Sequence, residues 1–272
     1  MKQSGIIIVK LQGGIGNQLF QWAYHKAAKE YYNIESYIDI SFYNNQIGVT
    51  PREFQLNQFP HIQYDIFDIT KIAELKTNVR RIADDFVYRD ILHPWKYSQH
   101  DINYLDGYWQ SAKYFSCINN TIKENLAPAN TFNKDIILPG STSLHVRRGD
   151  YVKVPQFHPT QSINYYNKAV ESIGTYNKLY VFSDDISWCK DNLHYKDIVF
   201  IQDKKESECL WLMSQCENNI LANSSFSWWG SWLNSNSNKR VIAPKKWFGT
   251  GYNNKINCED IILSDWELID GD

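Results

Sequence analysis

The sequence predicts an α/β protein made of two Rossmann-like units facing across a cleft, each a parallel sheet covered by helices. Three observations carry this. Short β-branched runs alternate with helix-period segments. A glycine-rich turn, Gln12-Gly13-Gly14-Ile15-Gly16, separates the first strand from the first helix. The alternation lapses after about residue 41 and resumes near residue 136. These stretches divide the 272-residue chain into units spanning 1–135 and 136–272, each long enough to bury a core.

Ile6 to Leu11 is an apolar, β-branched run and reads as a buried strand. After the glycine turn, Asn17 is placed to cap a helix in which Leu19, Ala23 and Ala27 recur every fourth residue, with Phe20, Tyr24 and Tyr31 beside them. Ser36 to Ile40 is a second strand. From Phe42 to Asn130, short apolar pieces, prolines and aromatics give no clean period; only Leu126-Ala127-Pro128-Ala129-Asn130 stands out, as a helix end running into a linker. Strands are then expected at 143–146, 179–182, 198–201, 220–222 and 240–243, with helices at 162–172, 206–217 and 226–233.

Composition excludes several classes. A net charge of -2, with no Lys/Arg run longer than two, gives no basic stripe for nucleic acid. The opening apolar run is too short for a secretion signal, and no later run is long enough to span a bilayer. The expectation is a cytoplasmic protein without a transmembrane segment. Cys117, Cys189, Cys209, Cys216 and Cys258 are odd in number, scattered and without zinc-ligand spacing, so they read as reduced and mostly buried thiols, and no metal site is expected. Aromatic residues reach 15%, enough to furnish sugar or base platforms as well as a core.

Four segments carry chemistry. In His145-Val146-Arg147-Arg148-Gly149-Asp150 two arginines leave the end of a strand, where open α/β sheets bind their ligands. The planar guanidinium matches phosphate oxygens in pairs and stays charged, so a diphosphate is the natural ligand; a surface Arg-Arg pair bridged to Asp150 fits the same pattern. The turn with Gly14, Gly16, Asn17 and Gln18 opens a helix, where backbone amides hold anions. It lacks the third glycine of a dinucleotide fingerprint, although Asp39 lies near the spacing of that fingerprint's acidic residue. Asn223-Ser224-Ser225-Phe226-Ser227-Trp228-Trp229-Gly230 joins a strand to a helix, its polar residues suited to capping or to phosphate and sugar oxygens, its tryptophans to the core. Phe182-Ser183-Asp184-Asp185 pairs carboxylates for a nucleotide contact or a helix cap.

In this order the segments resemble glycosyltransferase family 11, the α-1,2-fucosyltransferases: Gly13 to Gln21, His145 to Tyr151, Phe182 to Asp185 and Asn223 to Trp229, with Tyr165-Tyr166 on the helix after the arginine loop. The likeness runs from residue 5 to about 247 and is that of a bacterial member. It implies a GT-B-like fold, with the first unit on the acceptor side and the second binding GDP-β-L-fucose. Fucose would pass with inversion to the 2-hydroxyl of a terminal galactose, in a soluble or lipid-linked oligosaccharide, without an essential metal or other cofactor. By this likeness Arg147 neutralises the leaving diphosphate, His145 and Arg148 shape the donor site, and the Gly14–Asn17 turn faces the phosphates. Asn223, Ser224 and Ser225 bind the donor from another strand end.

Single displacement also needs a base for the acceptor hydroxyl. Asp150 is placed for it but sits beside the arginines; His158, in the loop Pro155-Gln156-Phe157-His158-Pro159, has the better intrinsic pKa. Three other readings compete: a fucosyltransferase of α-1,6 or protein O-linkage, a non-catalytic nucleotide- or carbohydrate-binding protein, and an NAD-dependent oxidoreductase.

Overall fold

A computed structural model describes residues 5–73, 78–84, 88–89, 102–129, 132–133, 136–252, 256 and 258–271. The chain separates into two compact units, Met1–Ala127 with Glu259–Ile261, and Pro128–Cys258 with Ile262–Asp272. The division expected after residue 135 falls instead before Pro128; residue 135 and Asn130 of the expected linker lie outside the described residues.

In the first unit the apolar run becomes β1 (Ile6–Lys10), whose Ile7, Ile8 and Val9 are fully buried. It leads through the glycine turn into α1 (Ile15–Glu30) and on to β2 (Ser36–Asp39). Two further strands, β3 (Val79–Ala83) and β4 (Ile102–Asp106), complete a wholly parallel sheet in the order β2-β1-β4-β3. A short α2 (Asn119–Asn125) is capped at Leu126, the helix end that the sequence indicates. Gly14, in extended conformation and without a side-chain bond, caps α1, so Asn17 is the third helical residue and not the cap.

The α1 helix is buried almost all round, polar residues included. Gln18 and Gln21 are fully buried, and His25 Nδ1 lies 2.8 Å from Ser36 Oγ. Burial first, and the charge of Lys29 second, push the His25 imidazole down to about 4. A charged ring there would lose its hydration.

The second unit holds β5 (Thr142–Val146), α3 (Ile163–Ile173), β6 (Leu179–Ser183), α4 (Ile186–Asn192), β7 (Ile198–Phe200), α5 (Glu206–Gln215), β8 (Asn218–Ile220), α6 (Ser225–Leu233), β9 (Val241–Pro244) and β10 (Glu267–Ile269). All six strands are parallel, in the order β10-β9-β8-β5-β6-β7. Strand alternation sorts the side chains by face. Leu144, Val146, Leu179 and Val181 pack with Tyr165, Tyr166 and Cys189, whereas Tyr180 and Phe182 join Leu212, Met213 and Cys216. Trp228 and Trp229 have no exposed surface and meet at 5.1 Å, so they belong to the core.

Both units are therefore parallel α/β layers, the pattern of the Rossmann-like, GT-B-like expectation. All five cysteines are free: Cys189 and Cys216 are buried, Cys209 and Cys258 half-buried, and Cys117 exposed, so burial is less general than expected. Among the described residues no helix is long and apolar enough to cross a membrane.

Candidate functional site

The order of the second sheet reverses at β5. The chain runs outward through β6 and β7, then returns to the other side of β5 with β8. The crevice outside the carboxyl ends of β5 and β8 is thus the switch point where open α/β sheets bind ligands. Arg147 and Arg148 leave the end of β5, and Asn223 to Phe226 follow β8, so strand order alone brings two of the sequence segments together. Asp184 and Asp185 follow the neighbouring β6.

Carboxylates hold both arginines. One Arg147 terminal nitrogen bonds Asp150, and Nη1 lies 3.0 Å from Asp184 Oδ2, while the guanidinium sits 5.1 Å from the centre of the Tyr151 ring. Arg148 donates from its backbone N–H to Asp184 Oδ1 at 2.9 Å and from Nε to Asp185 Oδ2 at 3.2 Å. Its guanidinium lies 4.1 Å from the centre of the Trp188 ring, a cation–π contact. Asp185 also caps α4 by accepting from the Trp188 amide at 3.1 Å. At Gly149 a Cβ would press on the Asp184 carboxylate, so a larger residue there would displace that side chain. The same Asp184 carboxylate that lies against Gly149 holds Arg147.

His145 lies beneath this layer, 4% exposed, its ring 5.3 Å from that of Phe226 in the first turn of α6. Its Nδ1 has no hydrogen-bond partner among the described residues. Burial, and then Arg147, push it down to about 3, so the ring is neutral at physiological pH. Asn223 is fully engaged in fastening loops. It donates to the Pro159 carbonyl at 3.0 Å and the Trp247 carbonyl at 2.9 Å, and accepts from Gln161 Nε2 at 2.9 Å. Ser224 caps α6 through the Phe226 amide, and Ser225 is the first helical residue.

The Pro155–Pro159 loop, which the motif did not position, comes back to the arginine loop. His158 stacks on Tyr151 with ring centres 4.8 Å apart, and its Nε2 lies 3.1 Å from the Tyr252 hydroxyl. Burial lowers its pKa most, with Asp150 opposing that shift.

The matching switch point of the first sheet lies between β1 and β4. Gln18 donates to the Gly13 carbonyl at 3.0 Å and the Glu53 carbonyl at 2.8 Å, and accepts from the Gln55 amide at 2.8 Å. Gln21 accepts from the Gln12 amide at 2.9 Å and donates to the Gly107 carbonyl at 2.8 Å. Asn17 accepts from Gln110 at 2.7 Å. Gly14 and Gly16 stand at the turn and in the first turn of α1. Asp39 is engaged by the Ser41 amide at 2.8 Å and the Tyr104 hydroxyl at 2.6 Å.

A family model, glycosyl transferase family 11, matches residues 9–270. The chain belongs to glycosyl transferase family 11. Among curated relatives, the O-antigen biosynthesis glycosyltransferase WbnK of Escherichia coli is 30% identical over 93% of this chain and 98% of its own length. An alpha-1,2-colitosyltransferase of Escherichia coli is 31% identical over 89% and 92%. A galactoside 2-alpha-L-fucosyltransferase of Caenorhabditis elegans is 28% identical over 48% and 43%. A fucosyltransferase NodZ structure from Bradyrhizobium overlaps 84% of this chain and 93% of its own at a TM-score of 0.48 and 11% identity, a likeness too distant to argue from.

Within this family 11 chain, sequence reasoning missed the residues that hold the motifs in place. Gln21 and Tyr151 lay inside the quoted segments without being assigned a task. Gln110, Gln161, Trp188 and Tyr252 carried no local signal, because each acts on a residue at least 40 positions away or through a ring contact.

Proposed function

We propose that this chain is an inverting α-1,2-fucosyltransferase, moving L-fucose from GDP-β-L-fucose to the 2-hydroxyl of a terminal galactose. The observation that carries the reading is Arg147, projecting from β5 at the switch point of the second sheet with its guanidinium held by Asp150 and Asp184. A diphosphate leaving group develops charge as the sugar departs, and a preorganised guanidinium stabilises that charge more than the ground state. Arg147 carries this task without an essential metal. His145, Arg148 and Asp184 shape the donor site, with Ser224, Ser225 and Phe226 at the start of α6 beside it; Asn223 acts there by holding the loops.

Asp150 takes the acceptor proton. When the diphosphate draws Arg147 toward itself, the Asp150 carboxylate is released from its ion pair and accepts the proton of the attacking hydroxyl as GDP leaves. His158 is the second candidate for that proton. The acceptor is an oligosaccharide, soluble or lipid-linked, in the cytoplasm.

The α-1,2 linkage is supported by the names of the colitosyl- and fucosyltransferase relatives. The colitosyltransferase also motivates a second donor, a colitosyl nucleotide on the same site. Incubation with GDP-fucose and a panel of galactose-terminated oligosaccharides, with product linkage and anomeric configuration determined, tests the reading. A 1,6-linked, protein-linked or retained product overturns it.

A further inference from the structure

Aromatic side chains of the second unit run away from Arg147 in a continuous set of ring contacts. Beyond Tyr151 and His158, the His158 ring meets Phe248 at 6.0 Å and Tyr252 at 5.9 Å. Phe248 and Tyr252 in turn line a cavity of about 320 Å³, with Trp247 beside them and Lys245 and Asp270 also in its lining. Lys245 and Asp270 are more than half exposed and 3.8 Å apart, so they form a charged rim over an aromatic interior.

The hollow is held from behind. The Gly249 amide donates to the Phe157 carbonyl at 2.9 Å and the Gly251 amide to the Gln156 carbonyl at 2.7 Å. A Cβ on Gly249 would collide with that Gln156 carbonyl, and one on Gly251 would stand 2.7 Å from it. Two loops far apart in sequence are thereby joined backbone to backbone, and the rings between them are fixed before any ligand arrives.

We propose that this cavity is a carbohydrate subsite that holds one pyranose of the acceptor beside the transferring centre. Calling that pyranose an acceptor sugar rests on the fucosyl-transfer reading; the subsite itself does not. The angles of the rings favour a sugar over a nucleobase. The two lining rings, Phe248 and Tyr252, meet at 79°, which makes a corner rather than a parallel slot. A planar base gains most between stacked faces, whereas a puckered pyranose lays its C–H face on one wall and its edge against the next. The volume lies at the small end of ligand pockets, roughly 300–1,000 Å³, enough for a sugar unit and short of a whole nucleotide sugar. The rim supplies Lys245 as a donor and Asp270 as an acceptor, the pair that vicinal hydroxyls require.

The test uses the full chain and the variants Phe248→Ala and Lys245→Ala, the second on an exposed side chain that leaves the fold intact. With GDP-fucose and a galactose-terminated acceptor, the acceptor KM is expected to rise about tenfold or more in Phe248→Ala and about threefold in Lys245→Ala. The donor KM should stay within about twofold in both variants. Saturation-transfer NMR with lactose, glucose and N-acetylglucosamine should give sugar signals with wild type and weaker ones with each variant, independently of turnover. If no acceptor is fucosylated yet those signals appear and fall in the variants, the donor reading fails and the subsite stands. An unchanged acceptor KM in both variants, a donor KM that climbs in step with it, or no saturation transfer to any of the three sugars overturns the subsite.

Discussion

At the switch point of the first sheet, uncharged amides close the turn after β1: Gln18, Gln21 and Gln110 each bond a backbone group or Asn17. At the switch point of the second sheet the loop after β5 is closed by ions, with Arg147 and Arg148 set against Asp150, Asp184 and Asp185. The difference is one of exchangeability. A fully buried glutamine gains nothing from a passing anion and loses its partners if it moves. A half-buried ion pair can trade one oxyanion for another at little net cost, because the incoming phosphate replaces the carboxylate it displaces. Two guanidinium groups face three carboxylates, so the loop carries no excess positive charge to attract a diphosphate at long range. On the proposed reading, donor affinity comes from contact geometry. On that reading the first turn positions and the second exchanges.

The largest expected effect breaks the ionic side. Arg147→Ala should lower turnover by about 10³ or more while the far-ultraviolet circular dichroism stays unchanged. Wild-type turnover would remove Arg147 from the chemistry. Next, the two carboxylates on Arg147 should separate. Asp150→Asn should cut kcat by roughly 10² with donor KM little changed or lower. Asp184→Asn, which also releases the Arg148 amide and the packing against Gly149, should raise donor KM. Identical profiles for the two variants would mean that both carboxylates merely hold the arginine.

On the neutral side, Gln18→Ala should destabilise the chain by about 2 kcal/mol, because it strips partners from two carbonyls and an amide. Urea denaturation reads this directly, and a loss below about 0.5 kcal/mol would show that water replaces the side chain. A further contrast comes from pH. His25 in one unit and His145 in the other are both depressed below the ordinary value of 6.5. The unfolded chain therefore binds protons that the native one refuses. Their contribution is complete above about pH 6.5 and falls as pH drops toward about 4 for His25 and about 3 for His145. Denaturation at pH 7 and pH 5 should differ by on the order of 2 kcal/mol per ring, and a His25→Gln variant should lose its share of that slope.

Much of the second unit was legible because its strands are apolar and its helices periodic. The strand at β8 shows where that signal misleads. The apolar residues suggest 220–222, but pairing occupies Asn218–Ile220, because buried Asn219 satisfies itself on Ser143, Met213 and Asn234 rather than on solvent. In the first unit β3 was invisible, since Val79, Arg80 and Arg81 are exposed on an edge strand with no buried period. The arginine loop was readable as a phosphate grip from residue type and place. Its partners divided by distance. Asp150 is three residues away and was anticipated, whereas the hold of Asp184 on Arg147 follows only from the pairing of β5 with β6.

The three-residue return Glu259–Ile261 has a consequence for recombination. Asp260 accepts from the Tyr88 amide at 2.7 Å and pairs with Lys113, so the first unit is completed by residues more than 130 positions further along the chain. A chimera that exchanges halves with a relative at a single crossover near Pro128 inherits that patch from the wrong parent. Two crossovers, or a matched residue at 260, keep the first unit whole.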